Sequence, residues 1–159
     1  MSQVEARLAE LGVDLPPVAA PLAAYVPAVT SGSYVYTAGQ LPLRDGRLLA
    51  SGRVGVEVDV PTATACARLC ALNALAAVRG EVGDLDRVRR VVKVVGYVAS
   101  SPDFTAHPAV VNGASELLAE VLADAGVHAR SAVGVASLPL GAPVELELVV
   151  ELAPPDEAA

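Results

Sequence analysis

With 159 residues, the chain has material for one domain with a substantial core. Apolar residues make up 53% and aromatics 3%, so that core is Val, Leu and Ala, with almost no surface on which a base could stack. The net charge is −7 and Lys93 is the single lysine, which argues against nucleic acid, whose binding rests on clustered cations.

In chain order, residues 2–12 read as a short amphipathic helix with Val4, Leu8 and Leu11 on one side and Gly12 at its end. Residues 16–27, rich in Pro and Ala, read as an extended arm. Val26–Thr30 and Tyr34–Ala38 form a hairpin through Ser31-Gly32-Ser33, and Arg44-Asp45-Gly46-Arg47 is a second turn leading into a short strand at Arg47–Ser51. Pro61 marks a helix start, with Asp59 or Thr62 as cap. The helix over Thr62–Arg79 carries Ala65, Leu69, Leu72, Leu75 and Ala76 on one stripe and stops at Gly80. Arg87, Arg89 and Arg90, beside Asp84 and Asp86, read as a solvated strand entrance. Val88–Ala99 is apolar at odd and even positions, as expected of a central strand covered on both faces. A further helix spans roughly Ala106–Ala125, with Val110, Leu117, Leu118, Val121 and Leu122 inward and Gly126 as its stop, and strands Ser131–Ser137 and Val144–Leu152 close the domain.

Six strands and two main helices in this order predict an α+β fold, a two-layer sandwich of a mixed six-stranded sheet with both helices on one face. The expected division is an N-terminal helix and arm over 1–24, a single domain over 25–153 and a frayed tail over 154–159. Cys66 and Cys70, four apart on a helix, read as small buried hydrophobes. His107 and His128 have no partners at metal-ligand spacing, so no metal is expected. No basic-then-apolar leader opens the chain, and no run of about 18 apolar residues is free of charge or breaks. The expectation is a cytoplasmic protein with no membrane or nucleic-acid partner.

The last fifth of the chain carries the candidate chemistry. Arg130 stands at the mouth of an apolar strand, and a tight Leu138-Pro139-Leu140-Gly141 turn leads to a strand whose carboxylates alternate with aliphatics. Were the two strands adjacent and antiparallel, Arg130 and Glu145 would share one neighbourhood. Two readings of Arg130 are open: a surface arginine paired across the sheet, or a bidentate clamp on a substrate carboxylate, whose geometry a guanidinium matches. Glu145 could place or deprotonate water, although Glu147 and Glu151 alternate in the same way and spacing alone does not single it out. Gly39, at a strand end, would let backbone approach a ligand. Tyr25 and Asn112 are polar residues in apolar surroundings, as fit for structure as for ligand. Ser131 has no nearby histidine–acid pair, and neither a Gly-x-Ser-x-Gly elbow nor a phosphate loop is present.

Taken together, Tyr25, Ala38-Gly39-Gln40-Leu41-Pro42, Asn112, Ala129-Arg130-Ser131, Leu138-Pro139 and Val144-Glu145-Leu146-Glu147 resemble the RidA family of reactive-intermediate deaminases, also called L-PSP endoribonuclease-like. The resemblance covers roughly Tyr25 to Glu151. It implies a chorismate-mutase-like fold and a homotrimer whose sheets surround a central barrel, with clefts between subunits. It further implies catalytic roles for Arg130, which would hold a substrate carboxylate, and Glu145, which would help place the hydrolytic water. Tyr25, Gly39, Asn112 and Ala132 would line the cleft. The implied substrates are small carboxylate-bearing metabolites, 2-imino or 2-enamino acids, hydrolysed to 2-keto acids and ammonia without a cofactor. Ala38, Ala132 and His128 replace the serine, cysteine and proline or alanine usual at those positions, marking a divergent subgroup. A non-catalytic trimer that binds a small carboxylate is the alternative. Ribonuclease activity, suggested by the family's other name, conflicts with the acidic charge.

Overall fold

The computed structural model describes residues 2–20 and 23–154; of the tail expected to fray, residues 155–159 lie outside that range. The Ser2 hydroxyl opens α1 (Gln3–Glu10) by accepting from the Glu5 N–H at 3.1 Å. The Asp86 carboxylate accepts from the N–H groups of Gln3 and Val4 at 2.7 and 2.9 Å, a negative charge where a helix start is positive. Asp86 is therefore a docking post for α1, where the sequence reading had it only lining a solvated strand entrance. Val4 and Leu8 sink into the main core, so the N-terminal helix packs onto the domain.

The long helix α2 (Val60–Val82) starts at Asp59, whose carboxylate accepts from the Thr62 N–H at 2.9 Å. It runs through Gly80, the expected stop, and ends at Gly83, whose φ of 85° is the left-handed value that glycine tolerates. Gly80 is instead a contact point, since a Cβ there would press on Val18 Cγ2 at 2.9 Å. The expected single stripe is too narrow. From Leu69 to Val78 every residue is buried, while Ala65 is exposed, because sheet, arm and the helix α3 (His107–Leu122) enclose α2 on several sides. α2 is long and apolar enough to cross a bilayer by length and composition, yet its apolar residues are spent on this interior. At Gly113 of α3 a Cβ would collide with the Thr64 backbone oxygen; the two helices meet backbone against backbone only because that position is bare.

Among the described residues seven strands form, β1 (Ala28–Ser31), β2 (Tyr34–Thr37), β3 (Leu43–Arg44), β4 (Arg47–Leu48), β5 (Val88–Ala99), β6 (Ala129–Val135) and β7 (Val144–Leu152). The main sheet is mixed and five-stranded, in the order β1-β2-β7-β5-β6. The strand expected at Arg47–Ser51 does not join it. It closes a separate two-stranded hairpin with β3, in which Asp45 and Gly46 both take positive φ, 53° and 74°, as the tight primed turn requires. So the six-stranded sheet is corrected to five plus a hairpin, while the α+β sandwich with helices on one face stands.

Two further corrections bear on the site. β6 and β7 are not neighbours: β6 pairs parallel with β5 after the α3 crossover, and β7 inserts between β5 and β2, antiparallel to both. In addition, β5 is buried on its helix side only. Val94, Gly96 and Val98 are buried, whereas Lys93, Val95 and Tyr97 on the other side are half-exposed.

Asn73, in the buried middle of α2, donates from Nδ2 to the carbonyls of Leu41 and Leu43 at 2.9 and 3.0 Å. This pins the segment after β2 to the helix. Replacing Asn73 with Ala strands two buried acceptors, for which unfolding in denaturant should read a loss of about 1–3 kcal/mol; an unchanged midpoint would show that water takes over both carbonyls.

Candidate functional site

The first half of the site is built by α3 and β6. Pro108, Asn112 and Ser115 recur at helical spacing on one side of α3, and Arg130 of β6 lies against them. Arg130 Nη1 donates to Asn112 Oδ1 at 2.8 Å and to Ser115 Oγ at 3.1 Å, and Nη2 donates to the Pro108 carbonyl at 3.2 Å. Three of its five N–H groups are thus engaged by neutral oxygens. The count leaves Nε–H and one Nη2–H, on adjacent nitrogens, the pair a carboxylate accepts side by side. Among the described residues Arg130 takes part in no ion pair. The reading as a surface arginine paired across the sheet therefore fails: its partners are on a helix and none is charged. Ala132, pairing with Gly96 as Arg130 pairs with Val94, shares Arg130's side of the strand and packs on the core edge.

The second half lies where β2 runs out along β7. Tyr36 pairs with Val149, but Gln40 pairs with Leu146, so β2 spends one residue more than its partner. In this bulge the Thr37 hydroxyl accepts the Leu148 N–H at 2.9 Å, and Gly39 is turned toward Glu145. A Cβ on Gly39 would collide with Glu145 Oε1. The glycine's use is therefore to make room for a carboxylate. Tyr25 and Gly39 line one small cavity together with Pro27, Gln40 and Leu41. The half-buried Glu145 carboxyl titrates above the usual carboxylate range, first because burial disfavours its charge and then because Glu147 stands nearby. The Tyr97 hydroxyl donates to Glu147 Oε1 at 3.1 Å.

Within one chain the two halves do not meet. β5 separates their strands by two sheet spacings, roughly 10 Å. Moreover, Arg130 points to α3, while Glu145 alternates with the buried Val144 and Leu146 and so faces the sheet side without helices. Arg130 joins Asn112 and, along its strand, Ala132; Gly39 meets Glu145 and shares its cavity with Tyr25. The neighbourhood expected from a hairpin of the last two strands is overturned by the insertion of β5 between them. Sequence reasoning also missed Ser115 and the Pro108 carbonyl, although the Pro108, Asn112, Ser115 spacing was there to be read.

The remaining reactive groups are muted. Burial pushes the Cys66 thiol up to about 11 and Cys70 well above the ordinary thiol range, so neither is a nucleophile near neutrality. Among the described residues no three His, Cys, Asp or Glu gather where a metal could sit.

These features agree with what the chain resembles. A family model described as "YjgF/chorismate mutase-like, putative endoribonuclease" matches residues 5–152. The chain belongs to the YjgF/RidA family. It is 46% identical over 151 residues to Protein TCP17 of Trypanosoma cruzi, covering 94% of both chains. Among solved structures it superposes on the protein Atu1372 of Agrobacterium tumefaciens, a protein of unknown function, with TM-score 0.89 and 48% identity over 95% of this chain and 93% of that one. The YjgF gene product of E. coli matches at TM-score 0.58 and 28% identity, over 86% of this chain and 93% of its own. E. coli TdcF with bound serine matches at 0.58 and 26%, over 87% and 94%.

The pH dependence of stability follows from the raised Glu145 carboxyl. The folded state holds this proton more tightly than the unfolded chain does. Native stability from this residue therefore falls as pH rises from the ordinary value of 4.5 through the raised folded one. Glu145→Gln should remove that fall, so the variant's advantage in thermal midpoint should grow between pH 4 and pH 8; parallel curves would refute the assignment.

Proposed function

We propose that the protein hydrolyses reactive 2-imino and 2-enamino acids to 2-keto acids and ammonia, in clefts formed between copies of itself. The observation that carries this reading is the Arg130 guanidinium, held by three neutral acceptors with a two-nitrogen edge left over. Such a cation is prepared for a carboxylate, and among the described residues no ion pair compensates its charge. Its strand, β6, ends the sheet order, so a second copy can approach along that edge. The partner's Gly39 and Glu145 half is what the anchor lacks. A homotrimer closes this arrangement with three equal clefts.

In such a cleft the chemistry asks little of the protein, because an imine carbon is already electrophilic. Arg130 fixes the substrate carboxylate and so the C2 carbon. Glu145, as carboxylate, takes a proton from water while the water oxygen bonds to C2 of the protonated imine, whose nitrogen becomes an amine. The same group, now protonated, returns the proton to nitrogen. As the C–N bond breaks and ammonia leaves, the C2 hydroxyl becomes the keto oxygen and its proton passes back to the Glu145 carboxylate, which releases it to water. A carboxyl raised by burial suits both halves of that cycle. Holding carboxylate and water together supplies much of the remaining advantage. Asn112 and the Ala132 backbone complete the carboxylate side; Tyr25 and Gly39 bound the water side.

The second reading, a carboxylate-binding protein without turnover, is favoured by one finding: the E. coli TdcF structure holds serine, an amino acid with the same carboxylate handle and no imine. The two readings part on one assay. Freshly generated 2-aminoacrylate should yield pyruvate faster with the protein present, and Arg130→Ala should lower that acceleration by at least about thirtyfold, the lower end of what a sheltered charge pair is worth. Ligand-dependent thermal stabilisation with no acceleration would establish the binding-only reading instead.

Division of the site between copies has its own test. Arg130→Ala and Glu145→Gln proteins, each expected to be strongly impaired, should regain part of the activity when co-refolded, since some clefts then pair an intact arginine with an intact glutamate. Mixed assemblies that stay inactive would exclude a shared cleft.

A further inference from the structure

Behind Arg130 lies a second layer that the proposed reaction does not use directly. His128, two residues before it, turns its ring toward α3 as well. His128 Nδ1 lies 2.6 Å from the Gly126 carbonyl oxygen, and Nε2 lies 2.9 Å from Ser115 Oγ. The same Ser115 Oγ accepts from Arg130 Nη1 at 3.1 Å. A carbonyl can only accept, so Nδ1 carries the ring hydrogen and Nε2 of the neutral ring is bare. The Ser115 hydroxyl must then give its hydrogen to Nε2, which turns a lone pair toward the guanidinium. Every bond in the row runs one way: Arg130 N–H to Ser115, Ser115 O–H to His128, His128 N–H to Gly126. The reverse setting would put a bare Nδ1 lone pair 2.6 Å from the Gly126 carbonyl oxygen.

The end of the row is fixed too. A Cβ on Gly126 would collide with the Leu118 carbonyl oxygen, so the Gly126 backbone sits tight against α3 and its carbonyl is a rigid terminus. A long arginine side chain otherwise samples many rotamers, and ordering it on binding a ligand weakens that binding. Here two groups with no free choice of donor and acceptor hold one nitrogen of the fork before any ligand arrives.

We infer that Ser115 and His128 are positioning residues for Arg130, a hydrogen-bonded row of set polarity that pre-aims the guanidinium at the carboxylate of its ligand. The inference rests on the reading of Arg130 as a carboxylate anchor. His128 acts on the ligand through Ser115 and Arg130; neither positioning residue touches the reacting atoms.

The test uses the purified full-length protein with pyruvate as the carboxylate probe, its dissociation constant measured by calorimetry for native, Ser115→Ala, His128→Ala, His128→Gln, the Ser115→Ala/His128→Ala double variant and Arg130→Ala. Ser115→Ala and His128→Ala should each weaken pyruvate roughly two- to tenfold, the range expected when one long side chain must be ordered anew. The double variant should be no worse than either single one, because both break the same row. His128→Gln should recover most of the affinity, since its side-chain carbonyl accepts from Ser115 near the place of Nε2. Nitrogen-15 spectra of native His128 should report the Nδ1–H tautomer, a signature that packing alone does not set. Native affinity in Ser115→Ala and His128→Ala, additive losses in the double variant, or an Nε2–H tautomer would each overturn the inference while leaving the anchor intact. Pyruvate binding that survives Arg130→Ala, or that the native protein lacks, would remove the anchor reading and this inference with it.

Discussion

The strict alternation of β7 is the constraint on which the rest of the molecule depends. Val144, Leu146, Leu148, Val150 and Leu152 are buried under the helices, and Glu145, Glu147, Val149 and Glu151 take the other side. A slip of one residue would put three carboxylates into an aliphatic core, which no partner there could offset. That penalty locks the register of β7 against β5 and, through it, the positions of β2 on one flank and β6 on the other. The glutamate that the proposed reaction needs is therefore placed by the same force that builds the core. Its surroundings differ from those of Glu147 and Glu151 because only Glu145 meets the bare backbone of Gly39.

The two halves of the candidate site have contrasting physics. On the α3 side a cation is held by neutral oxygens, so its charge is undiminished for whatever approaches. On the β7 side a carboxylate is shorn of solvent and set near another carboxylate, so its proton is held more tightly than usual. Each half is electrostatically unfinished, one short of an anion and the other short of a cation, and they face opposite sides of one sheet. A ligand with a carboxylate and a nitrogen satisfies both only if the halves come from different copies. That complementarity, more than any single distance, supports the shared cleft as proposed.

How far the sequence reading reached can be followed residue by residue. Helix content, the α+β layering and most of the core were legible because apolar spacing is a direct record of which side is dry: Val4 and Leu8 of α1 and Leu117, Leu118, Val121 and Leu122 of α3 are all buried as read. Gly80 misled because a glycine in a helix has two uses, stopping it or letting something lie close, and local sequence does not distinguish them. The hairpin expected from β6 and β7 misled for a different reason. A short Leu-Pro-Leu-Gly connection favours adjacent strands, but β5 had already claimed the intervening position through long-range pairing. Arg130 lies against Asn112 and Gly39 against Glu145, two groupings whose separation on opposite sides of the sheet the local sequence did not record. Ser115 went unnoticed because a serine inside a helix ordinarily bonds its own backbone, and nothing nearby in sequence announces that its partners lie on the next strand.

The bare position at Gly113 has a consequence for the whole molecule. It lets α3, which carries Asn112 and Ser115, rest directly on α2, whose Asn73 grips the segment beside Gly39. The gap between these two helices is thus a gauge block: it sets at once how far the Arg130 rim and the Gly39 rim stand from the same internal datum. In a closed ring of identical copies, an error in that gauge would recur at every joint in the same sense. Were the proposed ring to form, its tolerance would accordingly be held by one missing methyl group.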